Sequence, residues 1–141
     1  MNNPLISTIY KGDSKPNNYS PLNLAYLGDA VFALLVRTRL VTTANRSTHA
    51  HTKAANKANS AVHQSTNYYK ILDILTEEEA AIIKRGRNAN PTQKAKNATF
   101  AAYRNATGLE ALFGYLYLQN NTDRIIELFD ICWSDTFEEQ L

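Results

Sequence analysis

Two carboxylates stand alone within apolar stretches of this 141-residue chain, and they are the residues best placed to do chemistry. Asp29 and Gly28 interrupt the apolar run LAYLGDAVFALLV, and Glu110 and Gly114 interrupt the run LEALFGYLYL. An ionised carboxylate buried without a partner costs several kcal/mol, so each acid must be paired, protonated or bound to a metal ion. A glycine inside a helix costs about 1 kcal/mol relative to alanine, which indicates a close backbone approach at both glycines.

Convergence of the two acids would create a site for a hard cation. If the two helices cross at Gly28 and Gly114, then Asp29 and Glu110 meet in apolar surroundings, and carboxylate oxygens are ligands that Mg²⁺ and Mn²⁺ prefer. The alternative is a buried salt bridge for each acid. Arg104 is a candidate partner for Glu110, although its position about two turns earlier on the same helix makes direct pairing awkward. The acids alone leave both alternatives open.

Charge is distributed unevenly along the chain, although the formal net charge is only +2. Residues 30–109 contain 12 Lys or Arg and 4 Asp or Glu, whereas residues 110–141 contain one Arg and seven acids. Between residues 84 and 104 there are six cations and no acid. Such a basic block favours a polyanion partner, because cations that neutralise phosphates release condensed counterions. Together with the acids, it favours metal-assisted phosphodiester chemistry.

Other classes of protein and site fit the sequence poorly. The single cysteine, Cys132, cannot form a disulfide within the chain and fits a reducing compartment. The first residues lack the basic and apolar regions of an export signal, and no apolar run approaches the roughly 18 residues of a membrane span. We therefore expect a cytoplasmic protein. The spacing of Ser, His, Cys and Gly matches no nucleophilic triad, zinc site or phosphate loop.

The elements that must position the acids are predicted to be helices throughout, because the few Gly and Pro residues leave long segments with helical periodicity. Ser20 followed by Pro21 predicts the start of a helix that forms the centre of the fold. Thr76 and Glu79 form a predicted capping box, and Gly86 is expected just beyond the end of that helix. The predicted helices span residues 21 to about 41, 47 to 61 or beyond, 76 to about 85, about 98 to 119, and 122 or 123 onward, with a break near residues 65–67 and a polar loop over residues 88–97.

Two segments of the chain resemble the acidic helices of the ribonuclease III nuclease domain. AYLGDAVFALLVR resembles the first acidic helix motif of that domain, and ATGLEALFGYLYL resembles the second. The segments KRGRNA and YRNATG narrow the resemblance to the Mini-ribonuclease III subfamily, which has the nuclease domain without a double-stranded-RNA-binding domain. The resemblance covers roughly residues 20–130. We expect one all-α nuclease domain over residues 1–141, with an N-terminal extension (1–19) and a loose C-terminal tail (134–141).

This resemblance implies a homodimer that cuts both strands of double-stranded RNA with Mg²⁺, for which Mn²⁺ can substitute, and that leaves 3′ overhangs. It implies a role in maturing the ends of large-subunit (23S) ribosomal RNA precursors, with a ribosomal protein as a further candidate partner. Asp29 matches the catalytic, metal-binding aspartate of the motif, and Glu110 matches its glutamate. Ala25 and Thr107 stand where larger family members carry acids, which leaves one metal ion or two open.

Without a separate binding domain, the nuclease domain must bind RNA itself. Duplex RNA hides its base edges, so recognition is expected through phosphates and 2′-hydroxyls. For Arg85 and Arg87, a role at the C-terminus of a helix competes with RNA binding. The residues predicted to bind RNA are Lys84, Arg85, Arg87, Asn88, Lys94, Lys96 and Arg104.

The helix that carries Asp29 has a larger apolar surface than the core of one small domain needs to cover. We therefore expect part of it, around Tyr26 and Leu27, to face the partner subunit. Two other functions remain as alternatives. An inactive relative that binds structured RNA as a ribosome assembly factor would not need the two stranded acids, and a helical protein-interaction module would show no affinity for duplex RNA.

Overall fold

The structure, a computed structural model, describes residues 9–12, 15–89 and 99–133. These residues form helices and connecting turns without a strand, which confirms the all-α prediction. None of the helices in these ranges combines the length and apolarity that a membrane crossing requires. Short 3₁₀ turns lie at Pro16–Asn18 and Leu72–Ile74. The six α-helices are α1 (Pro21–Thr43), α2 (Thr48–Ala58), α3 (Ala61–Ile71), α4 (Glu77–Asn88), α5 (Phe100–Leu118) and α6 (Thr122–Cys132).

Helix α5, and not α1, is the centre of the fold. Eleven of its 19 residues are buried, and it packs against α1, α3, α4 and α6. The prediction that α1 is central was wrong. A helix that is apolar on all sides need not be covered on all sides by other helices of the same chain. One side of α1 stays uncovered, with Tyr26 84%, Leu34 64% and Val41 62% exposed. Leu27, by contrast, packs partly buried against the core.

Hydroxyl side chains set most of the helix starts. Ser20 accepts a hydrogen bond from Asn23 N at 3.1 Å, and the predicted capping box of Thr76 and Glu79 is confirmed in both directions. The predicted break near residues 65–67 was wrong, because Ser60 accepts from the backbone N of the third residue after it and starts α3 there. The prediction for α6 is confirmed, and α5 begins at Phe100, slightly later than expected.

The predicted end of α4 was also wrong. Gly86 does not follow the helix but lies buried inside its last turn, which continues to Asn88. The helix continues because Arg104 of α5 donates from Nε to the Arg87 carbonyl oxygen at 2.7 Å, which satisfies a carbonyl that a helix end leaves without a partner. The N-terminal eight residues, the C-terminal tail and most of the predicted polar loop, with Lys94 and Lys96, lie outside the described residues.

Candidate active site

Helices α1 and α5 cross with their backbones in contact, and glycine is what permits the approach. A Cβ atom built on Gly28 would lie 1.7 Å from the carbonyl oxygen of Glu110, and one built on Gly114 would lie 2.0 Å from the carbonyl oxygen of Leu24. Any larger residue at either position would collide with main-chain atoms, which cannot rotate away as a side chain can. The predicted crossing at the two glycines is therefore present in the structure.

The crossing brings the two isolated acids together. Asp29 follows Gly28 directly and lies on the exposed side of α1, while Glu110 is partly buried on α5. The pKa of Glu110 is raised to about 9, first because burial disfavours its charged form and then because the Asp29 carboxylate lies close and accepts a hydrogen bond from the protonated acid. The expectation that both acids are buried was wrong for Asp29, because this residue lies on the uncovered side of α1 and is exposed to solvent.

A salt bridge does not account for the pair. Within the described residues, neither Asp29 nor Glu110 forms an ion pair with a basic side chain. Arg104, the candidate partner for Glu110, directs its Nε to the Arg87 carbonyl oxygen and its Nη2 to Asn88 Oδ1, at 2.7 and 3.0 Å. Neither acid therefore has a basic partner in the described ranges, and a bound cation would offset the burial and the repulsion from Asp29 that raise the pKa of Glu110.

The donor set fits a divalent metal ion that keeps several of its own ligands. Two carboxylates supply hard oxygen ligands, and Mg²⁺ sites commonly use one or two carboxylates with waters and substrate phosphates. No group of three or more His, Cys, Asp or Glu side chains that could hold a metal ion occurs in the part of the chain that the structure describes. At the two positions where the resemblance implies acids in larger family members, Ala25 is buried and Thr107 donates from its hydroxyl to the Tyr103 carbonyl oxygen at 3.0 Å.

The predicted RNA-binding residues at the end of α4 divide into two groups. Lys84 and Arg85 are exposed and line a groove between the last turn of α4 and the first turn of α1, where Arg85 donates from Nη2 to the Tyr19 carbonyl oxygen at 3.4 Å. Arg87 and Arg104 are partly buried and bond to neighbouring protein groups, and Asn88 accepts from Arg104. The structure therefore brings Lys84, Arg85, Arg87, Asn88 and Arg104 to one end of the bundle, beside the point where the described chain stops at residue 89 and resumes at residue 99.

Sequence reasoning missed a second glycine contact, between α4 and α5. A Cβ on Gly86 would lie 2.8 Å from the Cα of Gly108, and a Cβ on Gly108 would lie 2.8 Å from the carbonyl oxygen of Ile83. It also missed Asn105, which is 1% exposed and bonds to Arg87. The run YRNATG holds the signal for both, because it places an Asn and a Gly directly before the apolar part of α5.

Comparison with known proteins agrees with this geometry. The family model described as Ribonuclease III domain matches residues 22–121, which include both acids and both glycine contacts. Curated relatives named Mini-ribonuclease 3 include those of Brevibacillus brevis (43% identity over 80% of this chain and 84% of the relative) and Enterococcus faecalis (39% over 82% and 91%). A crystal structure of a Fusobacterium nucleatum protein, 31% identical, superposes with a TM-score of 0.78 over 91% of this chain and all of that one.

Proposed function

Because the chain belongs to the ribonuclease III family and is an endoribonuclease of that family, we propose that it cleaves both strands of double-stranded RNA with a divalent metal ion held by Asp29 and Glu110. The observation that supports this most directly is the meeting at the crossing of α1 and α5 of two acids that have no basic partner among the described residues. Mg²⁺ is the proposed physiological ion, and Mn²⁺ is the proposed substitute. The proposed natural substrate is the large-subunit (23S) ribosomal RNA precursor, cut with 3′ overhangs.

In this proposal, the chain contributes two carboxylates, those of Asp29 and Glu110, that would hold the metal ion beside the substrate. A divalent ion bound here would polarise the scissile phosphate and lower the pKa of a bound water. Asp29 would supply carboxylate oxygens from the exposed side of α1, and Glu110 would supply them in its ionised form from α5. The glycine crossing holds the backbones that carry the two carboxylates in contact, which favours a site that needs little reorganisation when the phosphate arrives.

The exposed part of the basic block is proposed to bind the RNA backbone. Lys84 and Arg85 lie on the surface beside the N-terminal turn of α1, and Lys94 and Lys96 belong to the same block in the sequence. Contacts with phosphates carry no base information and fit the recognition of duplex RNA by shape. We expect the affinity for a duplex to fall steeply with salt concentration, and Lys84→Glu with Arg85→Glu to weaken binding while the protein remains folded.

The uncovered apolar side of α1 is proposed to pair with a second copy of the chain. Tyr26, Leu34 and Val41 expose large apolar surfaces along one helix, next to Asp29. A two-fold pairing would give two acid pairs in one assembly, one for each RNA strand. Sedimentation of wild type and Leu34→Lys tests this: we expect a dimer and a monomer respectively, and two monomers or two dimers would contradict it.

Asp29→Asn separates the nuclease from an inactive RNA-binding factor. The variant and wild type are incubated with a long RNA duplex, with and without Mg²⁺, and binding is measured in parallel by gel shift at low salt. We expect wild type to cleave only with Mg²⁺, and the variant to bind but not cleave. Asp73→Asn, which changes an exposed aspartate on another element, serves as the matched control and should cleave normally. An unchanged product pattern in Asp29→Asn would remove the proposed site.

A further inference from the structure

The last turn of α4 is tied to two other helices by a continuous set of polar contacts. Arg87 donates from Nε to Asn105 Oδ1 at 2.7 Å, and Asn105 donates from Nδ2 to Ser65 Oγ of α3 at 3.1 Å. The guanidinium carbon of Arg87 lies 5.5 Å from the centre of the Tyr68 ring, also on α3, within the range of a cation–π contact. The Nε–H group and one face of the Arg87 guanidinium are therefore engaged by other helices of the protein.

A second arginine closes the set from α5. Arg104 donates from Nε to the Arg87 carbonyl oxygen at 2.7 Å and from Nη2 to Asn88 Oδ1 at 3.0 Å. These two bonds, one of them to a main-chain carbonyl, hold the end of α4 against the first turns of α5. The glycine contact one turn further along, between Gly86 and Gly108, fixes the same two helices at backbone distance.

The bond between Arg87 and Asn105 joins the turn of α4 that carries the proposed RNA-binding cations to α5, the helix that carries Glu110. Lys84 and Arg85 lie on the same turn of α4 as Arg87, and Asn105 lies five residues before Glu110 on α5. A change in how Arg87 sits on Asn105 would therefore move the exposed cations relative to the acid pair. A displacement of about 1 Å in a reacting geometry can cost about a hundredfold in rate.

Building on the proposed function, we infer that Arg87 and Asn105 form a clamp that sets the position of the basic turn relative to Asp29 and Glu110. In this account Arg87 is a positioning residue and not a phosphate contact, which revises the role that the sequence predicted for it. Asn105 is almost fully buried and acts on the basic turn through its bond to Arg87. The exposed Lys84 remains a phosphate contact.

The test compares four variants of the full chain: Arg87→Lys, Arg87→Met, Asn105→Leu and the double variant Arg87→Met with Asn105→Leu. Duplex-RNA affinity is measured across a salt series, and single-turnover cleavage in Mg²⁺ is measured at saturating enzyme, below the melting temperature of each variant. We expect the two Arg87 variants and Asn105→Leu each to cleave about tenfold to a hundredfold more slowly, and the double variant to be no slower than the slower single. Lysine should fail to rescue, because it lacks the planar Nε–H donor. The salt slope should stay at the wild-type value in all four.

Two controls mark the limits of the interpretation. Lys84→Met should make the salt slope shallower by about one, as the loss of a phosphate contact does. Asn67→Leu removes another buried asparagine bond, to Gln64 at 2.9 Å on α3, and should leave the cleavage rate unchanged.

Three results would overturn the clamp. A shallower salt slope in Arg87→Met, with rescue by lysine, would make Arg87 a phosphate contact. A normal rate in Asn105→Leu would remove its positioning role, and a rate loss in Asn67→Leu equal to that in Asn105→Leu would make the effect general destabilisation. Failure of the proposed function is recognised separately, because wild type itself would then leave the duplex uncut.

Discussion

Replacing Gly28 with alanine tests whether backbone contact between α1 and α5 sets the geometry of the acids. The new Cβ would lie 1.7 Å from the Glu110 carbonyl oxygen, whereas ordinary contact begins at 3.4 Å, so the helices must separate locally by about 1.7 Å. Overpacking of this kind costs about 1 to 3 kcal/mol, and the better helix propensity of alanine recovers only about 1 kcal/mol. Because the obstacle is main chain, we expect an overpacking cost at or above the top of this range, about 3 to 4 kcal/mol, and therefore a net loss of about 2 to 3 kcal/mol.

The same separation of the helices should lower the melting temperature moderately and the cleavage rate strongly. At about 3 to 4 °C per kcal/mol for a domain of this size, the Tm measured by circular dichroism should fall by about 6 to 12 °C. Cleavage of duplex RNA, measured well below that temperature, should fall by about a hundredfold because Asp29 moves away from Glu110. Gly12→Ala is the control, since the one atom that its Cβ would overlap is the hydroxyl at the movable end of the Tyr19 side chain. A Gly28→Ala protein with wild-type Tm and wild-type rate would refute the reasoning.

Three further predictions follow from the packing and the buried groups. Gly86→Ala should lower the free energy of unfolding, measured by urea denaturation, by about 1 to 2 kcal/mol. This loss is smaller than that in Gly28→Ala because the new Cβ would lie 2.8 Å from the Gly108 Cα. Equal losses in the two variants would contradict the prediction. Burial alone raises the pKa of Glu79, but the hydrogen bonds and charge of Arg124 contribute to a net lowering below 4.5. Wild type should therefore lose stability as the pH falls through that lowered pKa, and Glu79→Gln should flatten the dependence in thermal scans between about pH 3 and pH 7. Burial raises the pKa of Cys132 to about 12, so a thiol reagent should label it only on unfolding, and rapid labelling of the native protein would contradict its burial.

The parts of the fold that depend on neighbours in sequence were predictable. Ser20 and Thr76 start helices through bonds to backbone groups three residues away, and such bonds depend on local sequence alone. The crossing at Gly28 and Gly114 was also predictable, because a glycine inside an apolar helix is costly unless a close approach offsets it. The same cost predicts from the sequence alone that Asp29 meets Glu110 of the other helix.

The parts that depend on distant residues were not predictable. Gly86, with cations around it, has the local signature of a helix end, and only Arg104 and Gly108 on another helix show why α4 continues past it. The same holds for the exposure of Asp29: its helix is apolar on all sides, and the sequence does not say which face the chain's own core leaves open. The partner of Arg87 was not predictable for the same reason, because Asn105 lies 18 residues away in the sequence and on another helix.

The measurement that tests the central claim most directly is divalent metal binding by the protein without RNA. Mn²⁺ is titrated into wild type and into the Asp29→Asn, Glu110→Gln double variant, and free Mn²⁺ is followed by electron paramagnetic resonance. We expect wild type to take up Mn²⁺, with Mg²⁺ competing for the same site, and the double variant to lose this binding while keeping its helical circular dichroism spectrum. Equal Mn²⁺ binding by the two proteins would contradict the claim that these two acids hold the catalytic ion.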